Sequence, residues 1–326
     1  LGTLAAGLLA AYGQLGAITT TLIAIAVVGF LCSLAIPRLT PAAPNLRVDW
    51  RPWTSTWDNI RAARESRTIF LSILGISWFW FYGALVLAQL PLYAKDELGG
   101  SEQVVTVMLI LFSAGVGIGS LLCERLSGHK VEIGLVPFGS IGLTAFAVDL
   151  YFATPHDPFG EALTAAEFVR QPGAWRILLD LGAIGLFGGF FIVPLYALVQ
   201  QRTRREVMSR VIGANSILNA VFMVAAAALG AIALQLGMTI PQVLLLTGIL
   251  NAFVAMYIYG LVPEFLLRFL AWMLVHFVYR LERRGLDNIP EDGPALLICN
   301  HVGFADAIVI SAACRRPIRF IMEAGI

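Results

Sequence analysis

The stretch VVTVMLILFSAGVGIGSLLC occupies residues 104–123 and contains no charged side chain. A helix needs about 20 mostly apolar residues to cross a bilayer, so this stretch is long enough to span a membrane. Small residues are concentrated in its part Gly115–Ser120, and a second small-residue segment follows at Gly182–Gly189. Because small residues let transmembrane helices approach closely, both segments predict tight helix–helix contacts.

The rest of the chain has the same apolar character. Of its 326 residues, 58% are hydrophobic and 13% are charged, whereas soluble domains carry about 25% charged residues. The formal net charge is +1, so no overall field attracts nucleic acid. The composition therefore indicates a membrane protein without a nucleic-acid partner.

Further apolar segments of spanning length follow a long polar segment. With residues 103–123 they form a set of six, at 69–94, 103–123, 133–153, 177–200, 211–236 and 241–261. Another span lies at 15–37, and residues 1–11 resemble the tail of one more. The sequence predicts seven complete spanning helices and one partial helix, in a chain that lacks residues at both ends.

The arginine and lysine content of the loops predicts the orientation. The segment 38–68 contains six arginines and the segment 202–210 contains four, whereas the loop at 237–240 has no charge. Loops rich in arginine and lysine stay in the cytoplasm, although the long loop 154–176 is ambiguous by this rule. We therefore expect a multi-pass protein of the bacterial inner membrane, with everything after residue 262 in the cytoplasm.

Two sets of helices that flank one long basic loop, with six helices after it, resemble the layout of the major facilitator transporters. The loop Glu124–Lys130 is similar to the charged, glycine-containing signature of that superfamily, with one extra residue before the glycine. The resemblance implies an all-α polytopic membrane protein. Residues 1–37 would end the N-terminal half, 38–68 would link the halves, and 69–262 would form the complete C-terminal six-helix half.

Polar side chains inside the spans are candidates for transport because burying them in hydrocarbon is costly. These candidates are Asp180, Asn215, Asn219 and Gln89, with Asn251 similar to Gln89. For Asp180 the alternative is an ion pair with Arg176, one turn earlier on the same helix face. The amides either line a cavity or form hydrogen bonds between helices.

The pattern changes after residue 262. The apolar run 269–279 is too short to span and predicts an interfacial helix, Ala295–Cys299 predicts a short buried strand, and a helix is predicted from Asp306. His301 lies five positions before Asp306, on the connection between strand and helix. Acyl transfer to a hydroxyl needs a base such as histidine, and a carboxylate to orient that base.

Residues 268–326 resemble the start of the glycerolipid acyltransferase family, through His301, Asp306 and the Arg315–Phe320 stretch that follows. The resemblance implies that His301 is the general base and Asp306 its orienting partner. It also implies acyl-CoA or acyl carrier protein as the acyl donor, no bound cofactor or metal, and an incomplete α/β domain at 263–326. The arginine and the Pro-Glu-Gly block that hold the acceptor phosphate in this family are absent, so we expect this fragment to be inactive.

A transporter joined to such an acyltransferase resembles the bacterial fusions of a lysophospholipid transporter with a 2-acylglycerophosphoethanolamine acyltransferase. This implies lysophospholipid flipping toward the cytoplasmic leaflet, followed by re-acylation, with membrane lipids, lysophospholipid and acyl donor as partners. One alternative is an exporter of drugs or metabolites with a tethered lysophosphatidate acyltransferase for phospholipid synthesis. Another is that the helices are only an anchor, although polar residues at mid-depth exceed what anchoring requires.

Overall fold

The computed structural model describes residues 15–37, 51–126 and 135–261, followed by 270, 273, 285, 288–290, 294–300, 303, 306–313 and 318. Its helices, in chain order, are α1 (Leu15–Leu34), α2 (Pro52–Arg64), α3 (Arg67–Leu92), α4 (Glu102–Leu126), α5 (Leu135–Ala153), α6 (Ala165–Val169), α7 (Ala174–Arg202), α8 (Met208–Gln235), α9 (Ile240–Leu261) and α10 (Asp306–Ala313). A π-helical segment (Tyr93–Glu97) continues α3, and a 3-10 turn (Arg205–Val207) precedes α8.

Five of the described helices are long and apolar enough to cross a membrane: α3 with its π-helical extension, α4, α5, α7, and α8 with its preceding turn. The helices α1 and α9 lie where spans are predicted, but their apolar stretches in the described residues, Thr19–Leu34 and Ile240–Met256, are shorter than those five. All six bundle helices begin and end within three residues of their predicted limits. The all-α polytopic fold is therefore confirmed.

The segment 38–68 is not a loop throughout, because it contains α2. Pro52 occupies the first turn of this helix, where its missing N–H costs no hydrogen bond. Ala62 and Ala63 are buried, whereas Trp53 and Trp57 are exposed on the opposite side. The helix packs against α8, so part of the predicted inter-half loop is ordered on the bundle.

Among the described helices, α4 and α7 form the most extensive contact. A Cβ atom built on Gly119 would lie 2.0 Å from the carbonyl oxygen of Leu186, and one on Gly185 would lie 2.2 Å from that of Phe112. These distances are too short for any side chain, so the two helix backbones are in direct contact. The tight contact predicted from the small-residue segments is confirmed, and glycine is required at these positions.

The aromatic run Trp78–Tyr82 places α3 at the centre of the bundle. The Tyr82 hydroxyl donates a hydrogen bond to the carbonyl oxygen of Leu143 in α5, at 3.1 Å. Phe79 stacks on Phe191 of α7, with 6.4 Å between ring centroids. Side chains that point in different directions from one helix therefore attach α3 to several neighbours, which explains why the run is aromatic on every face.

The prediction of a buried strand at Ala295–Cys299 is wrong. Residues 294–300 form no strand, and Leu296 and Ile298 are 76% and 88% exposed. A strand requires a partner for its backbone N–H and C=O groups, and the described residues provide none for this run. The helix predicted from Asp306 is confirmed as α10. The predicted interfacial helix at 269–279 and the loop Glu124–Lys130 lie largely outside the described residues.

Substitution of Gly119 by alanine should destabilise the bundle, because the added methyl group forces α4 away from α7. Overpacking of this kind costs about 1–3 kcal/mol, and the apparent unfolding temperature of the purified protein should fall. Thermal unfolding followed by tryptophan fluorescence measures the change.

Gly117→Ala is the matched control, because a Cβ at Gly117 has nothing within 4 Å. This variant should be neutral or slightly more stable, since alanine is the better helix former. Equal destabilisation by the two substitutions would show that the α4–α7 contact does not depend on Gly119.

Candidate functional site

Several polar side chains are buried in the bundle, and their hydrogen bonds separate structural groups from functional candidates. In lipid, a buried polar group without a partner is costly, so most such groups are paired. The buried polar residues of the described bundle are Ser72, Ser77, Gln89, Ser140, Asp180, Thr203, Asn215, Thr247 and Asn251.

Asn251 connects three helices through the hydrogen bonds of its side-chain amide. Its amide nitrogen donates to the Ser140 carbonyl oxygen at 3.0 Å and to the Thr144 hydroxyl at 2.9 Å. Its amide oxygen accepts from the Trp78 indole N–H at 2.9 Å. One side chain thus ties α9 to α5 and α3, which accounts for an asparagine at this depth without a role in transport.

Asn215 and Asn219 lie on the face of α8 that packs against α3. With its amide oriented to suit its neighbours, Asn219 donates to the Ser77 hydroxyl at 2.9 Å and accepts from the Asn215 amide nitrogen at 3.2 Å. The amide oxygen of Asn215 is buried and has no hydrogen-bond partner among the described residues. Asn219 therefore joins the two helices, while Asn215 retains an unused acceptor.

Gln89 also belongs to the contact between α3 and α8. A Cβ on Gly230 would lie 3.2 Å from the Gln89 amide nitrogen, so Gln89 points at a gap that glycine leaves open. Its amide oxygen is buried and has no partner in the described part of the chain. Gln89 lies twelve residues after Ser77 on α3, about 18 Å along the helix axis. Since Ser77 is the α3 residue that bonds to Asn219, Gln89 does not belong to the same cluster as Asn215 and Asn219.

Asp180 lies in α7, fully buried, and it does not pair with Arg176. The Arg176 guanidinium instead forms an ion pair with Asp149 of α5, with 3.1 Å between Nε and Oδ2. The alternative of an Asp180–Arg176 pair is therefore wrong, because Arg176 reaches sideways to the neighbouring helix. Neither carboxylate oxygen of Asp180 has a hydrogen-bond partner in the described ranges.

Asp149 was missed as a candidate in the sequence. It lies four residues before the end of the predicted span 133–153, where an acidic side chain is expected at the membrane surface. Its partner comes from a helix 27 residues further along the chain, and the sequence offers no signal for that pairing. An acidic side chain therefore lies on each of the neighbouring helices α5 and α7.

The catalytic pair predicted for the C-terminal segment is described in part. His301 lies outside the described residues. Asp306 is the first residue of α10; its carboxylate accepts a hydrogen bond from the Gly303 backbone N–H at 2.9 Å, and its own N–H donates to the Gly303 carbonyl oxygen at 3.0 Å. These bonds fix the carboxylate at the start of α10.

Comparison with protein families agrees with both parts of this architecture. Residues 1–227 match the model of the Major Facilitator Superfamily, and residues 280–326 match the Acyltransferase model. The first match ends inside α8, and the second contains both His301 and Asp306. No solved structure gives a significant match.

Curated relatives with a transporter name match across most of the chain. The lysophospholipid transporters LplT of Yersinia pestis (strain Pestoides F) and of Yersinia pseudotuberculosis serotype O:3 (strain YPIII) are each 28% identical over 215 residues. Each match includes 64% of this chain and 47% of the relative. The chain therefore spans about half the length of the curated relatives it matches.

Replacement of Asn251 by alanine should lower the stability of the bundle, because it removes hydrogen bonds to two helices and leaves the Trp78 N–H without its acceptor. Unsatisfied buried groups of this kind cost about 1–3 kcal/mol. Thermal unfolding of the purified protein measures the loss.

Asn215→Ala serves as the comparison, since it loses only the bond from its amide nitrogen to Asn219, and its amide oxygen has no partner among the described residues. We expect its effect on stability to be less than half that of Asn251→Ala. A larger loss for Asn215→Ala would contradict the division into structural and unused amides.

Proposed function

Because the chain belongs to the Major Facilitator Superfamily, we propose that its helical bundle moves lysophospholipid toward the cytoplasmic leaflet of the bacterial inner membrane. In the full-length protein, the domain that begins at residue 263 would then re-acylate the lysophospholipid. The observation that carries this proposal is the presence, in one chain, of a match to named lysophospholipid transporters and a match to an acyltransferase family.

The bundle supplies groups suited to a polar headgroup inside an apolar protein. Gln89, Asn215 and Asp180 each retain buried oxygen atoms without partners in the described residues. Such atoms can accept hydrogen bonds from the ammonium or hydroxyl groups of a phospholipid headgroup. Asn219, which bonds to Asn215, would hold that amide in place. The acyl chain can remain against the apolar helix surfaces while the headgroup crosses.

The acyltransferase step requires a base for the lysophospholipid hydroxyl. In the proposed mechanism the His301 imidazole takes the hydroxyl proton as the oxygen attacks the donor thioester carbonyl. Asp306 would orient the imidazole and stabilise the imidazolium that forms. The proton then leaves with the thiol of the donor, which is acyl-CoA or acyl carrier protein. The carboxylate held by Gly303 is consistent with this positioning role.

Orientation of the loops supports a cytoplasmic location for this domain. The arginine-rich segment that contains α2 lies on the side from which α3 enters the membrane, and six spans return the chain to that same side. Acyl-CoA and acyl carrier protein are cytoplasmic, so the donor and the flipped lysophospholipid would meet at one membrane surface. The covalent link between bundle and enzyme keeps both at high effective concentration.

Uptake of labelled lysophosphatidylethanolamine into spheroplasts tests the transport step. Cells carrying the full-length protein should accumulate the label above the empty-vector level, and Asn215→Ala should reduce the initial rate several-fold because a headgroup contact is lost. Ser216→Ala is the matched control, since Ser216 is exposed and its hydroxyl bonds only within α8. Uptake equal to the empty vector would exclude lysophospholipid as the substrate and favour the exporter alternative.

Replacement of His301 by alanine tests the acylation step separately. Loss of a general base should lower acylation on the order of 10²- to 10⁴-fold, while the rate of label uptake stays at the wild-type level. Conversion of labelled lysophosphatidylethanolamine to the diacyl lipid, measured by thin-layer chromatography, reports the first quantity. Undiminished acylation in this variant would rule out His301 as the base.

A further inference from the structure

Trp80 is the exposed member of the aromatic run in α3. Its side chain is 39% exposed, although it lies near the middle of a helix that is mostly buried. Tryptophan residues that face lipid are found mainly at the two ends of a span, where the indole N–H group reaches the headgroup region. The position of Trp80 therefore favours contact with a polar group that enters between the helices.

The Trp80 indole N–H group joins three helices. It donates a hydrogen bond to the hydroxyl oxygen of Tyr196 in α7, at 3.1 Å. With the Asn219 amide oriented to suit its neighbours, the same N–H group also donates to the Asn219 amide oxygen in α8, at 3.3 Å. One donor shared between two acceptors holds the tyrosine and the asparagine beside each other.

The Tyr196 hydroxyl keeps an unused proton. A phenolic hydroxyl can accept and donate at the same time. The oxygen accepts from Trp80, and no residue that the structure describes accepts the hydroxyl proton in turn. Because the bond from Trp80 occupies one side of the oxygen, the O–H group points away from the indole. The side chain is partly exposed, so a ligand can reach this donor.

The same network contains an unused acceptor. The Asn215 amide nitrogen donates to Asn219 at 3.2 Å, while the Asn215 amide oxygen is buried without a partner among the described residues. The cluster therefore offers a free donor at Tyr196 and a free acceptor at Asn215, both connected through Asn219. A phospholipid headgroup has the complementary groups, since its phosphate only accepts hydrogen bonds while its ammonium or hydroxyl group donates them.

We propose that the Tyr196 hydroxyl donates a hydrogen bond to the phosphate group of the lysophospholipid, and that Trp80 positions this hydroxyl. The inference rests on the proposed function, in which Asn215 accepts a bond from another part of the headgroup. A hydrogen bond to an ionised oxygen is about twice as strong as one between neutral groups. A neutral donor also binds less tightly than a lysine or arginine, which suits a headgroup that must be released after it crosses.

Initial rates of flipping by the purified full-length protein in liposomes test the proposal. The rates are measured at increasing mole fractions of labelled lysophosphatidylethanolamine and, separately, of lysophosphatidylglycerol. Tyr196→Phe should raise the apparent KM about 10-fold for both lipids, because both contain the phosphate and the variant loses one bond to a charged group. The maximal rate should stay near the wild-type value, since the bond contributes to binding.

Tyr151→Phe is the matched control. Tyr151 is a partly exposed tyrosine of α5 whose hydroxyl bonds to none of the described residues. Its replacement removes the same atom from a helix outside the cluster and should leave KM unchanged. Tyr196→Phe should also unfold at the wild-type temperature, because the Trp80 N–H group keeps Asn219 as an acceptor. The change in KM is then a loss of binding and not of folding.

Trp80→Phe tests the positioning role. This variant retains an aromatic ring but no longer holds the Tyr196 hydroxyl, so its KM should rise for both lipids. The double variant Trp80→Phe/Tyr196→Phe should have the same KM as Tyr196→Phe alone, because Trp80 acts through the hydroxyl that is already absent. Multiplication of the two single effects in the double variant would show that Trp80 acts on its own.

A competitor without phosphate identifies the group that Tyr196 binds. Unlabelled monoacylglycerol should compete no less effectively against Tyr196→Phe than against wild type, whereas unlabelled lysophosphatidylglycerol should compete about 10-fold less effectively. Equal weakening of both competitors would place the contact on the glycerol or ester group and overturn the proposal. A KM that rises for lysophosphatidylethanolamine alone would overturn it too, because the contact would then be with the ethanolamine.

The controls separate this inference from the proposed function. Flipping by wild type together with an unchanged KM in Tyr196→Phe would refute the phosphate contact alone. Absence of flipping by wild type would refute the proposed function, and the phosphate contact with it. If Tyr196→Phe does not fold, Trp80→Phe decides in its place. Its KM must rise for both lysophospholipids without weaker competition by monoacylglycerol, and any other result would contradict the proposal.

Discussion

The backbone contact between α4 and α7 is the constraint on which the rest of the bundle depends. Lipid gives two apolar helices no hydrophobic reason to associate, so close packing and polar bonds must supply the attraction. Glycine at Gly119 and Gly185 lets the backbones touch and brings many atoms into van der Waals contact. The position of α7 is thereby fixed, and α3 and α5 pack around it.

The hydrocarbon environment also constrains the polar side chains. Hydrocarbon cannot satisfy a donor or an acceptor, so each buried polar group is either bonded to protein or available to something that enters the bundle. Asn251 and Asn219 are of the first kind, because each is bonded to side chains on other helices. Gln89, Asn215 and Asp180 are of the second kind, because each keeps at least one buried oxygen atom without a partner in the described part of the chain. Polarity alone therefore identifies candidates, and unused hydrogen-bonding capacity distinguishes among them.

The sequence predicted the helices well because the bilayer dictates their length and composition. Each run from 69–94 to 241–261 has a helical counterpart, since about 20 apolar residues permit little else in a membrane. The sequence did not predict which side chains pair between helices. Arg176 pairs with Asp149 and not with Asp180, because sequence spacing describes neighbours within one helix and says nothing of the helix alongside. The predicted strand at Ala295–Cys299 failed for a related reason: its apolar run identifies a possible strand but cannot supply the partner strand.

Flipping of lysophospholipid by the purified full-length protein is the most direct test of the account. Proteoliposomes containing labelled lysophosphatidylethanolamine in their outer leaflet are treated with albumin, which extracts the lipid that remains outside. The account predicts that label becomes resistant to extraction with time, and more slowly when Asn215 is replaced by alanine. Label that stays fully extractable, as it does in liposomes without protein, would contradict a lysophospholipid transporter.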